Sequence, residues 1–166
     1  MSWDQKNVPH KGWICDFVTD LGTPDGRCAM CGREEIRFVH HMSHEDYPEG
    51  LDVGCVCAEK MEDDYVTPRR REQDLRNVAA RRKRWLLRKW KISQAGNPYL
   101  KTDGFHIVIF KQGDDSWGGK LTEVETGFSV TNKRRYRNAD EAKLGAFDGM
   151  IFLKNKRSAS TAGSTR

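Results

Sequence analysis

Apolar residues recur at helical spacing in one long stretch of the chain. Between residues 69 and 93, Leu75, Val78, Ala79, Trp85, Leu86 and Trp90 fall on an arc of roughly 140° at 100° per residue. Arg76, Arg81, Lys83, Arg84, Arg88 and Lys91 occupy the opposite arc. Arg82 and Lys89 interrupt the apolar stripe, where their stems can cover core while the charged heads reach out. Thr67-Pro68 supplies a cap with proline at the first helical position, and Gly96-Asn97-Pro98 supplies a stop. The pattern predicts one long basic amphipathic helix.

Beyond residue 98 the run Phe105-His-Ile-Val-Ile-Phe is rich in β-formers and apolar on both faces except at His106. Gly113-Asp-Asp marks a turn, Trp117 to Glu125 reads as a second strand, and Thr126-Gly127 turns the chain into a third, from Phe128 to Tyr136. Asn138 can cap a helix starting near Ala139, with Glu141 in capping-box spacing. Ala142, Gly145, Ala146, Gly149, Met150 and Leu153 give that helix a face of mostly small residues, which lets it lie close on a sheet. From Lys154 onward no apolar residue is larger than Ala, and the tail is expected to be disordered. The N-terminal third holds most of the Gly, Pro and Asp turn signals. There a strand ending at Val53 is expected to lead into a helix near Ala58.

The expectation is therefore an α+β chain in four parts: a small zinc module over 1–66, a basic linking helix over 67–95, a β-β-β-α module over 98–153, and a basic tail over 154–166. Composition supports small modules over one large core, because only 37% of the residues are hydrophobic and 32% are charged. Modules with thin cores often need a staple, and a metal is one of the few available. The net charge of +5 hides a block structure. Residues 1–66 hold 6 Lys/Arg against 14 Asp/Glu, residues 67–91 hold 11 against 2, and residues 92–166 hold 12 against 8. Such blocks imply an organised field, or else an acidic module that neutralises the basic segment within the fold.

The start of the chain is polar and no apolar run approaches the roughly 18 residues of a membrane span. The expectation is a cytoplasmic protein with no membrane partner, whose five cysteines are thiolates and not disulfides. Cys28-Ala-Met-Cys31-Gly has knuckle spacing, and Gly54-Cys55-Val-Cys57 places a second pair near a helix start after 23 intervening residues, enough for a hairpin. Cys28, Cys31, Cys55 and Cys57 together offer the four sulfurs of a closed structural zinc site, in treble-clef order. The second pair is irregular, since Cys-x-x-Cys is usual. His40, His41 or His44 could stand in if Cys57 does not ligate, and a Cys28–Cys31 redox dithiol is the other alternative. Cys15 is expected to be a small buried hydrophobe beside Trp13 and Phe17.

Cys28-x-x-Cys31, Val39-His40-His41-Met42 and Leu51 to Met61 resemble the zinc-stabilised ββα-metal nucleases of the HNH type over roughly 35 residues. The resemblance implies His40 or His41 as the general base beside a catalytic divalent ion. The sequence departs from that pattern: residues 41–57 contain no Asn, and Lys60, Met61 and Glu62 stand where the final-helix histidine would be. A scaffold without catalysis is the expectation, with a His40/His41 nuclease as the alternative.

The segment from Arg135 to Met150 is similar to the end of the ethylene-response and phage-integrase type DNA-binding domains, with Trp117 on strand two, Glu141-Ala142 opening the helix and Phe147-Asp148 following. In that family the sheet enters the major groove, which singles out Lys111, Trp117, Lys120, Lys133, Arg134, Arg135 and Arg137. Lys133-Arg134-Arg135 is also similar to the basic cluster of double-stranded-RNA-binding domains. With the arginine face of the predicted helix, these residues imply phosphate binding, with DNA favoured over RNA. The remaining class is a protein-interaction or inhibitor module using the acidic residues 45–64 toward a basic partner.

Overall fold

The computed structural model describes residues 2–162. The chain divides after Ala79 into two compact units, each described here by itself. Helices and two antiparallel sheets make it an α+β protein. No helix among the described residues is long and apolar enough to cross a membrane.

In the first unit β1 (Ile14–Asp20), β2 (Phe38–His44) and β3 (Tyr47–Val53) form a sheet in sequence order. A bulge between Cys15 and Phe17 bends β1, a strand that the sequence pattern did not predict. The chain leaves Val53 through Gly54 into α1 (Cys55–Glu62), as expected. Asp63, in the left-handed region, ends α1. The core is one cluster containing Trp13, Cys28, Met30, Met42, Val53, Cys57, Ala58 and Met61. Two of the four cysteines of interest are thus inside the core itself.

α2 (Thr67–Lys83) carries the chain out of this unit. It ends ten residues earlier than the pattern predicted. The chain then makes a 3-10 turn at Trp85–Leu87 and enters β4 (Lys91–Ile92). The cause is tertiary: Trp85 is buried, its Nε1 donates to the Lys143 carbonyl at 2.8 Å, and its ring lies 4.9 Å from that of Phe147. Packing of this kind overrides weak local propensity. The segment from Ser93 to Asn97 is accordingly a hairpin turn, with Pro98 opening the next strand, and Gly96-Asn97-Pro98 is not a helix stop.

The second unit is a five-stranded meander, β4 with β5 (Pro98–Thr102), β6 (Phe105–Lys111), β7 (Trp117–Glu123) and β8 (Ser129–Thr131), where three strands were expected. One face carries Phe105, Ile107, Ile109 and Leu121, all buried. Against this side lies α3 (Ala139–Ala162), through Ala142, Ala146, Phe147 and Met150. The small-residue face does what its composition implies: a Cβ added at Gly145 would collide with the Tyr136 ring, and one added at Gly149 would meet Leu121. One arm of the expected capping box is present, with Glu141 N–H donating to Asn138 Oδ1 at 2.8 Å, while the Glu141 carboxylate accepts the N–H of Arg137, one residue before the cap. α3 extends through residues 154–162, which corrects the expected disorder there; residues 163–166 lie outside the described range.

Division into units sharpens the charge pattern. Residues 1–79 hold 10 Lys/Arg against 16 Asp/Glu, and residues 80–166 hold 19 against 8, for nets of −6 and +11.

Candidate metal centre and nucleic-acid interface

The four cysteines separate into three and one. Donor atoms of Cys28, Cys31 and Cys57 all lie within 4.8 Å of one another, and these residues can hold a metal ion. Cys55 is not in that group, for a geometric reason. Cys55 and Cys57 are the first and third residues of α1, and two helical steps turn a side chain by about 200°. Cys57 faces the knuckle, whereas Cys55 lies with His40 and Glu72.

The three-cysteine group has the chemistry of a thiolate site. The Cys57 thiol hydrogen-bonds the Cys28 sulfur, and the backbone N–H groups of Cys31 and Gly54 point at the same atom, which holds Cys28 down at about 5. The same contact and burial push Cys57 up. A metal ion held by these sulfurs would take the place of the protons they carry. Trp3 contributes from the other side, hydrogen-bonding Cys57, while its backbone N–H donates to the Met30 carbonyl at 3.3 Å. A cavity of about 280 Å³ is lined by all four cysteines together with Arg33, Arg37, Glu72 and Arg76.

His40 and His41 are neighbours on β2 and point to opposite faces, so they do not form one site. His40 is fully buried, its Nδ1 is 3.9 Å from Cys15 Sγ, and burial lowers its pKa. Cys15 is half-buried, and burial pushes its thiol up. The cysteine expected to be a small buried hydrophobe is thus only partly buried, and its sulfur faces His40. His41 stacks on Phe17 at 4.2 Å, with Nδ1 2.7 Å from Asp52 Oδ1 and Nε2 2.9 Å from Thr19 Oγ1. His44 Nε2 lies 3.1 Å from the Lys11 carbonyl. None of the three is within the Cys28–Cys31–Cys57 group.

The predicted basic face does not survive as one strip. Arg76 pairs with Glu72 and lies over Phe38, Arg81 pairs with Asp103, and Arg82 pairs with Asp148 through two bonds. Arg88, past the helix end, lies over Trp85; Lys83 and Arg84 remain exposed. In the 132–137 loop Arg135 pairs with Asp114, Arg137 with Glu141, and Arg134 lies over Tyr136, while Lys133 is exposed. Arg82, Arg134, Arg135 and Arg137 line one depression of about 730 Å³ beside α3, with Glu141 and Asp148 as counter-charges.

A different surface carries unbroken positive charge. The register places Lys91, Tyr99, Val108, Lys120 and Thr131 in one cross-strand row, and Lys101, His106, Thr122 and Ser129 in the next. This is the sheet face turned away from α3. Lys91, Lys101 and Lys120 are exposed on it, Tyr99, His106 and Phe110 are partly exposed, and no carboxylate of the five strands points to that side. Trp117 and Lys111 pair with each other on the opposite side, so neither belongs to this row. Sequence reasoning singled out Lys91 and Lys120 but missed Lys101 and the aromatic residues; the alternation Tyr99-x-Lys101 was their only signal.

Comparison with protein-family models, with curated proteins and with solved structures finds no match for the chain.

Proposed function

We propose that the chain is a zinc-stabilised, non-catalytic nucleic-acid-binding protein, with duplex DNA favoured over RNA. The observation that carries this reading is the open sheet face of the second unit. Three lysines stand there between aromatic rings with no carboxylate among them, in a unit of net charge +11. Ammonium groups spaced across strands suit successive phosphates, and flat rings between them suit the groove wall. In this reading the contact lies on the sheet, as in the integrase-type domains that the C-terminal sequence resembles, and not on the arginines of α2. The soft, three-sulfur donor set supports zinc as the ion of the first unit. Knuckle, hairpin and helix follow in treble-clef order there. In this reading the first unit is a scaffold.

The test is duplex binding by fluorescence anisotropy across a salt series, with wild type and a Lys91→Ala, Lys101→Ala, Lys120→Ala triple variant. The triple variant is expected to bind at least about tenfold more weakly and to lose about 3 from the log–log salt slope, about 1 per lysine. Equal binding and slope in the two proteins would exclude the sheet face. No binding by wild type to duplex DNA or RNA would overturn the reading as a whole.

A further inference from the structure

We propose that His40, Cys55 and Glu72 form a second divalent-metal site of zinc type, separate from the Cys28–Cys31–Cys57 group. The three residues come from three elements: His40 from β2, Cys55 from the first position of α1, and Glu72 from α2. Their donor atoms converge within 4.8 Å of one another.

His40 supplies an independent sign of a missing ligand. Its side chain is fully buried, and Nε2 has no hydrogen-bond partner among the described residues. Buried polar atoms are nearly always partnered, so an orphaned imidazole nitrogen beside a thiol and a carboxylate asks for an explanation. Nδ1 faces Cys15 Sγ at 3.9 Å, and Cys15 and Glu62 form a second group on His40. This leaves Nε2 as the nitrogen for Cys55 and Glu72. The arrangement repeats a common design, in which a ligating histidine is oriented through its other nitrogen by a carboxylate or similar group. Glu62 is itself fixed by Arg71 at 2.7 Å.

One nitrogen, one sulfur and one carboxylate oxygen are a donor set for zinc, and three protein donors leave a position open. Cys55 and Glu72 also line the cavity of about 280 Å³ whose wall carries Arg33, Arg37 and Arg76. The open position is therefore served by water or a small anion. The proposal does not depend on nucleic-acid binding.

The experiment is metal counting on the full-length chain, stripped by chelation and reloaded with Zn²⁺, then with Co²⁺ for its thiolate charge-transfer spectrum. Wild type is expected to hold two ions. His40→Ala and Glu72→Gln are each expected to hold one, the second ion weakened by more than about 100-fold, since even outer partners of a site are worth about 10–100-fold. The Co²⁺ spectrum of the remaining ion should keep the intensity of three thiolates and be lost in Cys28→Ser. A single ion in wild type that is lost in Cys28→Ser and kept in His40→Ala would overturn this site while leaving the three-cysteine centre intact. Two ions retained in Glu72→Gln would also overturn it, and that variant decides the matter if His40→Ala fails to fold. No ion at all would overturn both centres.

Discussion

Both units are antiparallel sheets with a helix on one face, but different materials fill the space between. In the second unit, strands β6 and β7 and helix α3 enclose Ile107, Ile109, Leu121, Phe147 and Met150, with Trp85 added from the turn after α2. In the first, α1 covers a sheet whose inner face includes a histidine, and the core cluster itself contains Cys28 and Cys57. Thiols and an imidazole contribute far less burial energy than Ile or Phe side chains. The comparison sets a unit filled by large apolar side chains against one whose core contains two of three cysteines that could hold a metal ion.

The sharpest way to break this contrast is to remove sulfurs of the Cys28–Cys31–Cys57 group. A Cys28→Ser, Cys31→Ser double variant is expected to lose the ordered fold of the first unit, since structural zinc sites supply on the order of 10 kcal/mol of folding free energy. Amide hydrogen exchange should then show unprotected β1–β3 and unchanged protection in β6, β7 and α3. Equal loss in both units would show that the first unit holds up the second. The converse change is Trp85→Ala, expected to cost the second unit about 3–5 kcal/mol. It should lower the denaturation midpoint of that unit and leave the metal content of the chain at its wild-type value.

Next in size is overpacking. Gly145→Ala places a methyl against the Tyr136 ring, whose hydroxyl accepts a bond from Asn132 Nδ2. It is expected to cost about 1–3 kcal/mol, read as a shift in the urea midpoint of the second unit. An unchanged midpoint would mean that α3 can back away from the 132–137 loop, which would weaken the picture of a tightly packed apolar unit.

These sites differ in how far they could be seen in the sequence. Knuckle spacing made Cys28 and Cys31 legible, and the capping box placed the start of α3 at Ala139 as observed. What misled was assigning the Cys55–Cys57 pair to one site: residues two apart share a face only on a strand, and here both stand at a helix start, about 200° apart around the axis. The helical period ran past Lys83 because Trp85 and Trp90 fit the arc, while the decisive contact, Trp85 with Lys143 and Phe147, spans 58 residues of chain and leaves no local trace. The partner of His40 was hidden for the same reason, since Cys55 and Glu72 meet it only through the fold. Charge was legible as a total but not as a surface: most of the α2 arginines pair internally, and the acid-free row appears only once strand register is known.

The smallest effect concerns a carboxylate that controls one of those paired arginines. Glu141 accepts the Arg137 backbone N–H at 3.1 Å and the Arg137 guanidinium at 2.9 Å, and these bonds lower its pKa from the usual 4.5. The folded value lies below the unfolded one, so the contribution to stability is fully present above about pH 4.5 and is lost as pH falls through the folded value. Glu141→Gln keeps one accepting oxygen, turns the other into an amide NH2, and cannot titrate. The urea midpoint of the second unit, followed from pH 6 to pH 3, should fall less steeply in Glu141→Gln than in wild type. Because the carboxylate is solvent-screened the difference is small, and matching pH profiles would show that solvent has already taken all of it. A measurable difference would mark Arg137 as a cation held by Glu141, in contrast to Lys91, Lys101 and Lys120, which face no carboxylate on the strands.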